Sequence, residues 1–229
     1  MSTIALLPMK AHSERVSGKN FKSLAGKPLF KWILDSLLEV SSIDQVIINT
    51  DARELLMENG LSETDRVIIR DRKQNLCGDH VSMNLIIEDD LANTNADQYI
   101  MTHTTNPLLS PETINSAFET YQQAKSLGEA DSLFGVTKFQ TRFYKGDGAP
   151  INHDPDNLIR TQDLEPWYEE NSCIYIFDKS SFQSTNARIG LKPVLFEIPK
   201  LEAIDIDEKE DWFLASVVAK GRTEENNYA

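Results

Sequence analysis

The sequence predicts an α/β protein with a mostly parallel central sheet flanked by helices. Three observations carry that expectation. Short apolar, β-branched runs alternate with longer segments of helical period, the pattern of parallel strands joined by crossover helices. The first such run, TIALLPM at 3–9, is too apolar for a strand with one wet face and therefore belongs at the centre of the sheet. A chain of 229 residues that is 40% hydrophobic is long enough to bury one sizeable core. We expect a single domain over 1–229, interrupted by an excursion at about 140–171.

The elements follow in order. After the first strand, Pro28 sits at a helix start and Leu29, Trp32, Ile33 and Leu37 recur at helical spacing. DQVIINT (44–50) is the next strand, ARELLMENG a short helix ended by Gly60, and RVIIR (66–70) a third strand. Residues 81–92 have helical character, and QYIMTH (98–103) is a fourth strand. A turn at Pro107 leads into a helix whose apolar face is Ile114, Ala117, Phe118 and Tyr121, and DSLFGVTKF (131–139) is a fifth strand. Composition then shifts: 140–171 is rich in Gly, Pro, Asn and Asp, with weak strand signals around Gly-Asp-Gly, and reads as a surface loop or as a β-arm that packs on a second copy. Strand chemistry returns in SCIYIFD (172–178) and PVLFEIP (193–199), and a last helix is expected to stop at Gly221.

Composition excludes several functions. With 36 acidic against 23 basic residues and a formal net charge of -13, a broad footprint on nucleic acid or on an anionic membrane is not expected. The opening apolar run is too short for a signal peptide, no stretch is apolar for the roughly 18 residues a membrane span needs, and a cytoplasmic protein is expected. Cys77 and Cys173 are far apart and lack metal-ligand spacing, so they read as free thiols.

Against this acidic background, residues 6–29 (LLPMKAHSERVSGKNFKSLAGKPL) carry Lys10, Arg15, Lys19, Lys22 and Lys27 against one acid, Glu14. In a doubly wound sheet ligands sit beyond the carboxyl ends of the strands, and this loop follows the central one. Lys10, Arg15 and Lys19 are candidates to grip an anion such as a triphosphate, with Gly18 and Gly26 allowing close backbone approach. Neither a P-loop nor a GxGxxG motif is present, and a solvated basic loop is the alternative. In AIDIDEKED, Asp205 and Asp207 flank an isoleucine and point the same way if extended, which suits Mg²⁺. Alternatively, Asp207 caps the last helix with Glu210 completing a capping box. His103 follows the fourth strand at its carboxyl end; a structural role is the competing reading. Ser13 has no GxSxG context, so nucleophilic serine chemistry is not supported.

These segments resemble the sugar-acid cytidylyltransferases, the family of the acylneuraminate (CMP-sialic acid) and 3-deoxy-manno-octulosonate enzymes. LPMKAHSERVSGKNFKSLAGKPL is similar to the family's opening signature, and INTD (48–51), Arg70, TTNPLLSP (104–111), ENSCIYIF (170–177) and AIDIDEKED (203–211) follow in the expected order. The resemblance implies a Rossmann-like fold with a small β-rich dimerisation excursion, and transfer of CMP from CTP to a nonulosonic 2-keto sugar acid with release of pyrophosphate. It implies that Lys10, Arg15 and Lys19 hold the triphosphate and that Ser13, Asn20, Arg70, Ser82 and His103 lie on the nucleotide side. It further implies that Asp205 and Asp207 bind Mg²⁺, with Asp207 joining the catalytic set. The chain would be a homodimer, with Arg142 and Arg160 of the excursion offered to the sugar carboxylate. Three departures stand out: Lys10 replaces the usual first-loop arginine, His103 the common glutamine, and Leu109 an arginine. An octulosonate-type enzyme, a glycosyltransferase of related fold and a silent nucleotide-sugar scaffold are the alternative readings.

Overall fold

The computed structural model describes residues 1–12 and 16–226, with side chains described through Arg222. The first half of the chain lays down β1 (Thr3–Leu6), the small hairpin β2 (Ser23–Leu24) and β3 (Lys27–Pro28), α1 (Leu29–Glu39), β4 (Gln45–Thr50), α2 (Arg53–Glu58), β5 (Val67–Asp71), α3 (Met83–Asn93) and β6 (Gln98–Thr102). The second half adds α4 (Pro111–Ser126), β7 (Ser132–Phe139), β8 (Trp167–Phe177), α5 (Lys179–Thr185), β9 (Pro193–Glu197) and α6 (Lys209–Asn226).

The strands form one seven-stranded sheet in the order β5-β4-β1-β6-β8-β7-β9, in which β8 alone runs against the others. β1 is paired on both sides, by β4 and β6, and all its residues are buried, as its unbroken apolar run requires. Because side chains alternate along a strand, Ala5 and Leu7 enter one core while Ile4 and Leu6 enter the other. The first core takes Phe30, Ile33 and Leu37 from α1 and Ile114, Ala117 and Tyr121 from α4. The second takes Ile87 and Leu91 from α3 and Phe182 from α5. A third cluster, Leu24, Leu29, Leu108, Ile206, Ala215 and Ala219, seats α6 beside the first loop. Layers of helices on both faces thus leave the carboxyl ends of the parallel strands uncovered by packing.

Local signals explain most boundaries. Pro28 precedes the first residue of α1, and α2 ends where Gly60 adopts φ +76° and Leu61 N–H closes back on the Leu56 carbonyl at 3.0 Å. Ser110 caps α4 by accepting from Thr113 N–H at 3.2 Å.

Three expectations are corrected. α6 does not stop at Gly221 but runs to Asn226: Gly221 is not among the left-handed glycines, and a glycine ends a helix only where it takes that conformation. The helix start is closed by Asp211, whose Oδ2 accepts from the N–H groups of Asp207 at 3.0 Å and Glu208 at 2.7 Å, in place of the Asp207–Glu210 box. β8 begins at Trp167, inside the excursion, and α5 was not legible in the serine-rich KSSFQST, where the Asp178 side chain supplies the cap by accepting from Ser181 N–H at 2.8 Å. β8 also changes register against β7 between Phe134 and Val136, at Gly135, where a Cβ would meet Asn171 Oδ1 at 2.9 Å. The excursion folds on itself: Tyr144 bridges Pro150 across the Gly-Asp-Gly turn, and Phe143 stacks on Trp167 with ring centres 5.4 Å apart.

Candidate functional site

A cavity of about 370 Å³ opens beyond the carboxyl ends of β1 and β6. The segment after β1 gives Pro8, Met9 and Lys10, the segment after β6 gives His103, Thr104 and Thr105, and the approach to α3 gives Gly78, Asp79, Val81 and Met83. Lys19, Asn20, Arg72 and Asp207 complete the polar lining.

Buried Asn20 holds the first loop in place. Its Nδ2 donates to the Lys10 carbonyl at 2.9 Å and its Oδ1 accepts from Thr104 Oγ1 at 2.7 Å, which ties the loop after β1 to the loop after β6. Gly18, at φ +61°, makes the left-handed step into the 3₁₀ turn Lys19–Phe21. Lys19 Nζ then donates to the Ile206 carbonyl at 2.6 Å and lies 3.5 Å from Asp207 Oδ1. Lys10 pairs with Asp79. Two lysines therefore face the cavity, each beside an acid that also lines it.

Asp205 lies deeper than Asp207. Its Oδ1 is buried with no hydrogen-bond partner among the described residues, and burial pushes its carboxyl above the usual carboxylate range, opposed by a hydrogen bond with Thr105 and reinforced by the Asp207 charge. Burial drives the imidazole of His103 down to about 3, with the charges of Arg188 and Lys19 acting in the same direction. His103 is therefore neutral at physiological pH.

The remaining sequence-predicted residues lie elsewhere. Ser13 and Arg15 fall outside the described residues. Arg70 does not line the cavity; it is engaged by Asp89 at 3.0 Å and by Asp90 on the side of α3. Ser82 caps α3 and lines a neighbouring pocket with Asn84, Glu170 and Arg188. Arg142 donates to the Ile159 carbonyl at 2.5 Å within the excursion, and Arg160 pairs with Asp163 at 2.7 Å on its surface. The structure brings Lys10, Lys19, Asn20, His103 and Asp207 together and leaves these four arginine and serine positions outside the cavity lining.

Sequence reasoning missed Arg72, Asp79 and Arg188. Arg72 stands just past the end of β5, donates to the Met9 carbonyl at 2.9 Å and the Asn49 carbonyl at 2.7 Å, and lines the cavity. Its position beyond a parallel strand's carboxyl end was the available signal. Arg188 carried no motif, since it reaches His103 from the loop before β9.

Fold and site together define a Rossmann-like α/β protein with a lysine-bearing cleft at its topological switch region. The chain belongs to the cytidylyltransferase family, whose sequence profile matches residues 4–211. It is 25% identical over 221 residues to N-acylneuraminate cytidylyltransferase of Streptococcus agalactiae serotype V, a match covering 93% of this chain and 52% of the relative. The chain thus spans about half the length of that protein. It is 22% identical to pseudaminic acid cytidylyltransferase of Campylobacter jejuni serotype O:2, across 96% of this chain and 97% of the relative. Among solved structures, a CMP:2-keto-3-deoxy-manno-octonic acid synthetase complexed with CTP superposes with a TM-score of 0.66 at 15% identity, over 98% of this chain and 100% of that one. At that identity the likeness is one of fold.

Proposed function

We propose that this protein transfers CMP from CTP to the anomeric hydroxyl of a nonulosonic 2-keto sugar acid and releases pyrophosphate. The observation that carries the reading is the convergence of Lys10, Lys19 and Asp207 on one cavity at the carboxyl ends of β1 and β6. The names of the relatives, which act on N-acylneuraminate and pseudaminic acid, support the substrate class.

The anomeric oxygen attacks the α-phosphorus, the bond to the bridging oxygen breaks, and pyrophosphate leaves with the electron pair while the hydroxyl proton passes to solvent or a phosphate oxygen. Lys10 and Lys19 exchange their carboxylate partners for triphosphate oxygens and offset the charge that develops on the leaving group. Asn20 keeps the two flanking loops at fixed separation, so the chain contributes positioning and electrostatics. Arg15 joins the triphosphate contacts in this reading, and Ser13 and Ser82 the nucleotide contacts, whereas Arg70 stays with Asp89 and Asp90.

The carboxylate pair fits Mg²⁺: Asp205 Oδ1 is a buried oxygen with no hydrogen-bond partner among the described residues, and Asp207 lines the cavity two residues away. Bound there, Mg²⁺ would screen the phosphate charges. The excursion exposes Tyr144, Ile151, Leu158, Ile159, Trp167 and Tyr168, an apolar surface that supports a homodimer. In that assembly Arg142 and Arg160 would serve a sugar in the partner's cavity. Among the described residues no helix is long and apolar enough to cross a membrane, and consumption of CTP fits a cytoplasmic enzyme.

The test is pyrophosphate release with Mg²⁺, crossing CTP, UTP, GTP and ATP with neuraminic, legionaminic, pseudaminic and octulosonic acids. Release with CTP and a nonulosonic acid is expected. Release with the octulosonic acid alone would assign the eight-carbon substrate, and CTP binding without release from any acid would overturn the enzymatic reading.

A further inference from the structure

Four side chains beside the cavity, among them the cavity-lining His103, form a closed set. The Arg188 guanidinium lies over the Tyr175 ring, 3.8 Å from its centre. Its Nη2 donates to Glu170 Oε1 at 3.1 Å, and the Tyr175 hydroxyl donates to the same oxygen. Its Nη1 lies 3.2 Å from His103 Nε2, and the His103 ring meets Tyr175 edge-on with centres 6.5 Å apart.

A guanidinium has donors and no acceptor, so a hydrogen bond from Nη1 requires a lone pair on Nε2. The neutral ring then carries its proton on Nδ1. Glu170 and the Tyr175 face hold the planar fork of Arg188 in one orientation, so the constraint on His103 comes from a fixed group. The charged groups acting on the ring are Arg188 from the loop before β9 and Lys19 from the first loop, and both disfavour a second proton. Glu170 on β8 is engaged by Arg188 itself.

We propose that Arg188 is a positioning residue that locks His103 as the neutral Nδ1–H tautomer, so that His103 offers a bound substrate one donor and no acceptor. The substrate group beside His103 must then be an acceptor, a carbonyl, carboxylate or phosphate oxygen. The amide side chain of a glutamine offers both a donor and an acceptor and makes no such selection. It follows that His103 moves no proton in the reaction. The ring state stands on the geometry alone, whereas its use on substrate rests on the cytidylyltransferase reading.

The experiment uses the full chain labelled with ¹⁵N and long-range ¹H–¹⁵N spectra of its 4 histidines between pH 5 and 8, with His103→Gln assigning the signal. The expected result is a protonated Nδ1, unchanged across that range. A protonated Nε2, or a titration near the ordinary histidine value, overturns the proposal whatever the substrates do. Arg188→Met is expected to give a mixture of Nδ1–H and Nε2–H tautomers across the same pH range. In the pyrophosphate assay the same variant should raise one substrate's KM about tenfold, the loss of one oriented hydrogen bond in a polar site. Unchanged KM and kcat alongside a changed tautomer would sink the positioning role, and an unmoved Nδ1 resonance at saturating CTP and sugar acid would sink the donor role. Should Arg188→Met fail to fold, the wild-type spectra decide the ring state by themselves.

Discussion

Two ion-pair clusters in this protein, each pairing cations with acids, are built on opposite principles. On the α3 side of β5, Arg70 meets Asp89 and Asp90, whose side chains are 7% and 1% exposed, and Lys73 reaches Asp89 at 2.5 Å. In the cavity the acids are the exposed partners: Lys10 meets Asp79 with side chains 39% and 43% exposed, and Lys19, 12% exposed, meets Asp207, 41% exposed. A buried acid that loses its cation keeps its desolvation cost, about 3–5 kcal/mol, whereas an exposed pair is worth about 1 kcal/mol or less. The first cluster is therefore committed to the fold, and the second is open to exchange with an incoming anion. The sequence does not distinguish the two, because Arg70 and Lys19 are equally charged in it.

The largest expected effect is on the cavity side. Asp207→Ala should lower turnover by about 10³-fold or more, the scale of losing an electrostatic partner of the transition state, with an unchanged thermal melt. Wild-type turnover at saturating Mg²⁺ would detach Asp207 from the chemistry. On the committed side, Arg70→Met should destabilise the fold by about 3–5 kcal/mol, read as a lowered urea midpoint at constant slope. A stable variant with a raised KM for CTP would instead place Arg70 with the nucleotide and erase the contrast.

Acidity sharpens the comparison further. Burial raises Asp90 to about 6 from 3.8, with the hydrogen bond from Asn49 and the charge of Arg70 opposing the shift. Between those values the folded chain holds a proton that the unfolded chain has released, so Asp90's contribution to stability falls as pH rises through the window. His103 has the opposite sign. Its folded value of about 3 lies below the unfolded 6.5, so its contribution is whole above 6.5 and is lost as pH falls toward 3. Asp90→Asn should remove a falling slope of up to about 3 kcal/mol between pH 4 and 6. Urea midpoints for variant and wild type at matched pH values read the difference, and parallel curves would show that Asp90 is ionised throughout.

What the sequence made legible follows the same division. Apolar runs such as TIALLPM and DQVIINT located the strands because burial on both faces leaves no other composition possible. Lys10, Lys19 and Asp207 were legible because a parallel sheet dictates where its ligands sit, and the structure does gather them. Arg72 was within reach of the same reasoning but lay two residues past the expected strand RVIIR, and strand ends are uncertain by a residue or two; Asp79 sits in the approach to α3, where no strand end points to it. Arg188 was out of reach for a different reason. Its contacts with Glu170, Tyr175 and His103 join three segments distant in the chain, and no local spacing encodes such a meeting. The course of α6 through Gly221 belongs with these, because helix propensity is a weak prior beside the packing of Ala215 and Ala219 under that helix.

The smallest expected effect tests the exchange idea most directly. If Asp79 holds Lys10 until triphosphate arrives, binding must first break that pair, and the work of breaking it is subtracted from the affinity for CTP. Asp79→Asn removes the charge while keeping the size and leaves Lys10 in the cavity lining. The Kd for CTP should then fall by up to about fivefold, the factor equivalent to an exposed pair of about 1 kcal/mol, and should become more sensitive to salt. Calorimetry at two ionic strengths reads both. A weaker Kd would mean that Asp79 orients Lys10 for the nucleotide, in which case the cavity pair, like the buried one, is part of a fixed framework and the two clusters differ only in depth.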